Sequence, residues 1–183
     1  MAALDAIDVK ILDLLQDDAS RSIAEISEQV HLSQNACWRR VRQLEENGFI
    51  RKRVVLLDAQ KLGVGTTVFV LLRAPEYTDE WFNAFAATVR KIPEVLEFYR
   101  LAGDIDYLIK LQVSDIAGYN EVSQILTRAV HFRDVSGVFA MEELKYTTAL
   151  PLPRNPKTTA SELRSPPASG RTTRSKIPPH KKR

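Results

Sequence analysis

The 183-residue sequence predicts an α+β protein in two parts, a helix-turn-helix unit followed by a βαββαβ ferredoxin-like domain. Three observations predict it. Residues 5–48 hold three closely spaced helical patterns of apolar residues, the hydrophobic period turns strand-like after Ile50, and strand and helix patterns then alternate as far as Thr148.

Asp5 stands where a cap for the first helix belongs, and Ile7, Ile11, Leu14 and Leu15 recur at i, i+4, i+7 and i+8 as one apolar stripe. Ser22 and Glu25 form a Ser-x-x-Glu capping box for a short second helix that carries Ile23, Ile26 and Val30 on one face. The turn "VHLS" follows. Its His31 occupies a position that favours Gly or Asn, and His tolerates the left-handed region better than most residues. Ser33 is placed to cap the third helix, and Gly48 in "ENGF" to end it. Helix, short helix, tight turn and longer helix is the helix-turn-helix order, which defines a unit over residues 1–50. "IRKRVVLLD" then reads as a strand and connector, with residues 51–65 leading into the second domain.

In that domain, residues 66–153, strands are expected over 66–73, 95–101, 107–113 and 135–148, and helices over 79–92 and 116–129. Two helices cover only one face of a four-stranded antiparallel sheet. Yet "TTVFVLLR" is apolar on both alternating faces, and "YLIKLQV" sets Tyr107, Ile109, Leu111 and Val113 on one face and Leu108 on the other. A second copy packed on the free face would make a homodimer; the alternative is an amphipathic sheet with some exposed aliphatics.

Apolar residues make up 44 % of the chain, enough for real cores. No run approaches the roughly 18 apolar residues of a membrane span. "MAALDAIDVK" has neither the basic start nor the apolar core of a secretory signal, so the expected compartment is the cytoplasm. Cys37 is the single cysteine and His31, His131 and His180 are scattered, so neither a disulfide nor a structural metal is expected, and no cofactor. There is no Gly-rich phosphate loop and no nucleophile with a convincing base, which argues against an enzyme.

The formal charge of +3 conceals an uneven distribution. Residues 154–183 hold nine Lys/Arg and one acid, whereas residues 1–153 hold seventeen bases and twenty-two acids. That tail, rich in Pro, Ser and Thr, is expected to be disordered, as a solubilising extension or as a phosphate-attracting or partner-recognised peptide.

Placing residues 34–45 at about 100° intervals separates two faces of the third helix. Cys37, Val41 and Leu44 form the core stripe, with Cys37 read as core rather than redox-active; Asn35, Trp38, Arg39 and Arg42 lie opposite. The outer face has the chemistry of a DNA reader. Arg bonds guanine edges or clamps phosphates, Asn pairs with adenine, and an aromatic ring packs on a thymine methyl or the sugar backbone. Ser33 and the helix N-terminus suit a phosphate. The candidate DNA-contacting residues are therefore Ser33, Gln34, Asn35, Trp38, Arg39 and Arg42. A Trp38 ring folded over an apolar edge is the competing reading; Arg39 and Arg42 beside it favour DNA contact. Arg40, at the edge of the buried stripe, is expected to pair with Asp8 or another first-helix acid. Arg51, Lys52 and Arg53 fit a solvated connector and a DNA-backbone contact equally.

"LDAIDVKILDLLQDDAS", "HLSQNACWRRVRQLEENGFI", "LAGDIDYLIKLQV" and "FAMEELKYTTALPL" together resemble the Lrp/AsnC family of transcription regulators, over about residues 4–152. Through "CWRR", "DEWF" and "KYTTALPL" the chain is similar to the branch regulating cysteine and other sulfur amino-acid metabolism. The resemblance implies a winged-helix-like DNA-binding domain, a strand-containing hinge and a ligand-binding domain. It also implies dimers that often assemble into octamers, and amino-acid effectors bound near interfaces between dimers. By position, Ala102, Gly103, Asp104, Asp106 and Tyr107 match the family's effector-responsive motif, and Ser136 remains of its hydroxyl pair. Gly103 permits a sharp turn, exposed amides there can hold a carboxylate, and Asp104 or Asp106 can attract an ammonium group. An acidic hairpin without a ligand is the plain alternative. Gly137 and Val138 depart from the family, standing where small hydroxyls are common, which would cost an effector its partners.

The expected function is sequence-specific transcription regulation on double-stranded DNA, at the nucleoid, in response to an amino acid, with cysteine the first to test. A metabolite-sensing module acting on an enzyme is the alternative, disfavoured by the complete helix-turn-helix.

Overall fold

The structure, a computed structural model, describes residues 4–153, which fall into two compact units: residues 4–53 with 147–153, and residues 54–146. The basic tail expected to be disordered lies outside the described residues.

The first unit contains α1 (Ala6–Asp17), α2 (Ile23–Gln29) and α3 (Gln34–Glu46). Its termini follow the local chemistry. Asp5 and Asp8 form a reciprocal capping box on α1, Ser22 and Glu25 another on α2, and Ser33 Oγ accepts the Ala36 amide at 3.3 Å to cap α3. His31 adopts the left-handed conformation, φ 56°, in the turn before α3. Ile11, Leu15, Ile26, Val30, Cys37, Val41 and Leu44 close the core between the three helices. Cys37 has no exposed surface, and burial pushes its thiol above the ordinary range, as suits a packing residue.

The second unit is a four-stranded antiparallel sheet of β1 (Thr66–Arg73), β2 (Val95–Arg100), β3 (Tyr107–Val113) and β4 (Asp134–Phe139), ordered β2-β3-β1-β4, with helices α4 (Asp79–Val89) and α5 (Ile116–Ala129). Chain order and strand order together are those of the ferredoxin-like plan. Val68, Val70 and Leu72 of β1 and Tyr107, Ile109, Leu111 and Val113 of β3 are buried with Trp81, Phe85 and Leu126 from the helices. Phe85 anchors this core: Trp81, Phe98, Phe132 and Tyr107 all lie with ring centroids 5.1–5.5 Å from its own. Each such pair adds about 0.5–1.5 kcal/mol beyond its buried area. Trp81 Nε1 donates to the His131 carbonyl at 2.7 Å, so its polar edge is satisfied inside.

Three expected elements differ in extent. No strand precedes β1 among the described residues, so the strand read in "IRKRVVLLD" does not form. Val54, Val55, Leu56 and Leu57 are exposed there, without a neighbour in the chain for their peptide groups. The final strand stops at Phe139 rather than Thr148, because its partner β1 begins at Thr66; the Ala140 amide donating to the Thr67 carbonyl is the bond beyond it. Helix α4 ends at Val89, and Ile92 precedes Pro93, a setting that disfavours helical backbone. Residues 147–153, read as the close of the second domain, group with the first unit instead. There the Gln16 side chain donates to the Leu150 carbonyl at 3.2 Å and accepts its amide at 3.0 Å.

Candidate DNA-reading helix and effector depression

The neighbouring arginines of α3 have different partners. A terminal nitrogen of Arg40 donates to Asp5 and Asp8, both at 2.7 Å, and so ties α3 to the start of α1. This is the inward role its position predicted. Burial raises the Asp5 carboxyl, but the Asp8 amide and the Arg40 guanidinium outweigh it and hold Asp5 below its ordinary range.

Arg39 is exposed and has no ion-pair or hydrogen-bond partner among the described residues. With Ser33, Asn35, Ala36 and Trp38 it lines an open depression at the N-terminal half of α3. Gln34 is exposed in the first turn of α3. Trp38 is 48 % exposed, so the ring is not folded away into an apolar edge. Arg42 lies over that ring, 5.4 Å from its centroid, and its Nε donates to Glu46 at 2.8 Å. Arg42 thus braces the ring and spends one donor on Glu46, whereas Arg39 spends none. Arg53 donates to Glu45 at 3.0 Å, which gives part of the basic connector a structural use.

The acidic loop between β2 and β3 forms one wall of a second depression, entirely within residues 73–133. Gly103 sits at φ 140°, a conformation that L side chains rarely adopt, and with Ala102 it is exposed in the turn. Asp104 is exposed beside it, and its carbonyl accepts from Arg73 Nε at 2.8 Å. Asp106 is committed to the fold. Its two oxygens accept from the Tyr77 hydroxyl at 2.7 Å and the Ala74 amide at 2.8 Å. The Tyr77 hydroxyl is the main cause that holds Asp106 below the ordinary carboxylate range, against the effect of burial; the Ala74 amide, Arg73 and Arg100 add to it.

Two sequence expectations change here. Tyr107 is 3 % exposed and packed among Trp81, Phe82, Phe85 and Phe98, so its side chain belongs to the core and does not line the depression. Its place in β3 next to the loop carried the motif match; strand alternation turns it inward. Gly137 is not a lost ligand partner either. It pairs with Val70 on the helix-covered face, and a Cβ there would stand 2.3 Å from the Tyr119 hydroxyl. A larger residue would collide with α5 rather than reach an effector. Ser136 pairs with Leu71 and lies on the opposite, open face, toward the same end of the sheet as Arg73.

Sequence reasoning missed Arg73, Tyr77 and Arg133, which share this depression. The signal was not local: only the pairing of Arg73 with Asp134, and the Arg133 amide donating to the Arg73 carbonyl at 2.9 Å, bring the two arginines together.

Among the described residues there is no group of His, Cys, Asp and Glu that could hold a metal ion, and no helix long and apolar enough to cross a membrane.

Residues 4–51 match the family model for winged helix-turn-helix DNA-binding, and residues 67–150 match that for the Lrp/AsnC ligand binding domain. The chain is 56 % identical over 150 residues to the glutamate uptake regulatory protein of Zymomonas mobilis, covering 82 % of this chain and 92 % of that one. It is 43 % identical over 150 residues to the DNA-binding transcriptional activator DecR of Escherichia coli, covering 81 % and 99 %. A crystal structure of a transcriptional regulator from Neisseria meningitidis in complex with L-Met is 34 % identical, with a TM-score of 0.77 over 81 % of this chain and 96 % of that one.

Proposed function

Because the chain belongs to the Lrp/AsnC family of transcription regulators, we propose that it reads double-stranded DNA through α3 and that an amino acid bound at the Gly103 depression alters that reading. The observation that carries the DNA assignment is the division of labour on α3. Arg40 is tied inward to Asp5 and Asp8, while Trp38 and the unpaired Arg39 face outward beside a capped helix N-terminus. Such a face combines base-edge donors, an aromatic surface for thymine methyls and amides for phosphate. Ser33, Gln34, Asn35 and Arg42 complete the proposed contact set, with Arg42 acting in part by bracing the ring.

The working form is proposed to be a homodimer that assembles further, up to an octamer. Two features support it. The sheet face away from α4 and α5 presents Phe69, Leu71, Leu108 and Val138, and the apolar segment 54–57 is exposed and unpaired. For the effector, support comes from the depression lined by Gly103, Asp104 and Asp106, and from the neighbour crystallised with L-Met; Ala102, beside Gly103 in the turn, and Ser136, on the open face of β4, are proposed to take part. Work in the cytoplasm, at the nucleoid, follows from that role.

The test is a gel shift of the full chain on the DNA upstream of its own operon, with and without added amino acids. Retardation is expected, with two half-sites about 10 bp apart or a multiple of it, and weakening when half a turn is inserted between them. Binding that is indifferent to the half-turn insertion would contradict the dimeric reading, and no retardation at low salt would contradict DNA reading.

A further inference from the structure

On the reading of the Gly103 depression as the effector site, we propose that its ligand is an amino acid with an acidic side chain, and that Arg133 selects it. Few charged groups of the depression remain available to a ligand. The Asp106 oxygens already accept from Ala74 and Tyr77, whereas the Asp104 carboxylate has no hydrogen-bond or ion-pair partner among the described residues. Asp104 is therefore the carboxylate left for an ammonium group.

Two guanidinium groups share the depression with it. Arg73 uses Nε on the Asp104 carbonyl, which fixes the loop to the end of β1 and leaves its terminal nitrogens. Arg133 is exposed and makes no side-chain hydrogen bond or ion pair among the described residues. A neutral amino acid offers one carboxylate, so one arginine stays unmatched. A dicarboxylic amino acid matches Asp104 and both arginines, in the planar, two-pronged geometry that guanidinium groups favour.

The walls argue the same way. Apart from Ala74, Pro75 and the Tyr77 ring, the lining is charged or polar, so an aliphatic or thioether side chain would desolvate polar groups without repaying them. The neutral thiol of cysteine leaves an arginine equally unmatched. Nothing in the sequence alone isolates Arg133, which gains this role only from the pairing of β4 with β1.

Isothermal titration of the full chain with L-glutamate, L-aspartate, L-glutamine and L-methionine tests the inference. An acidic amino acid is expected to bind at least about tenfold more tightly than glutamine or methionine, the worth of one charge-assisted contact. Arg133→Gln should remove that preference, and Arg133→Lys should keep part of it. Because Arg133 is exposed, both variants are expected to fold, which circular dichroism checks. Glutamine or methionine binding as tightly as glutamate, or a preference that survives Arg133→Gln, overturns the acidic selection while leaving the depression as the effector site. Absence of binding by every probe overturns the effector reading itself, and the inference with it.

Discussion

Arg39 and Arg40 are adjacent in sequence and opposite in consequence. Arg40 bridges two carboxylates at the first turn of α1, with Asp8 mostly shielded from solvent, so Arg40→Ala is expected to lower stability by about 1–2 kcal/mol. The loss depends on pH with a definite sign. The folded Asp5 carboxyl lies below its ordinary value, so its share of stability is complete above the unfolded pKa, near about 4, and disappears as pH falls through the lower folded value. Urea denaturation of wild type and Arg40→Ala at pH 7 and at successively lower pH should therefore give curves that converge below about pH 4. A gap that stays constant to pH 2.5 would mean that the ion pairs are not its source. Arg40's inward role was legible from helical periodicity, since it borders the Cys37 and Val41 stripe. The stacking of Arg42 on Trp38 was not, because helix spacing puts side chains on a common face without fixing their rotamers.

Local signals located the helices and the two central strands, because caps and apolar alternation act within a few residues. Strand ends and the connector obeyed a different constraint, the presence of a partner. β4 stops where β1 begins, and residues 54–57 stay unpaired in spite of β-branched and apolar composition. The same constraint explains Gly137, which sequence comparison with the family framed as a missing hydroxyl. Packing of α5 on the sheet brings the Tyr119 ring against that position, so Gly137→Ser must displace an aromatic ring or bend β4. The expected cost is about 1–3 kcal/mol in chemical denaturation. Glutamate or methionine titration should be affected only through stability, since the new side chain points to the helix-covered face. Unchanged stability would show that Tyr119 moves freely and that the glycine has another reason.

At the scale of the whole molecule, the net charge of the chain does not point to the proposed DNA-contacting face. Residues 1–153 are acidic in sum, and the excess of positive charge lies in residues 154–183. Recognition is assigned instead to a small outward patch of α3, held in place by capping and by Arg40. The fold class, the outward face of α3 and the acidic loop could all be inferred from sequence; the two arginines facing that loop required the sheet's register. Arg39 is proposed as a reader of sequence rather than a general attractor of phosphate. Fluorescence anisotropy of wild type and Arg39→Ala, on the operon site and on a scrambled duplex at two salt concentrations, separates the two roles. Arg39→Ala is expected to lose about 1–3 kcal/mol on the operon site, to keep most of its binding to the scrambled duplex, and to change the salt slope of that weaker binding little. Equal losses on both duplexes, or wild-type affinity for the operon site, would contradict the sequence-reading role.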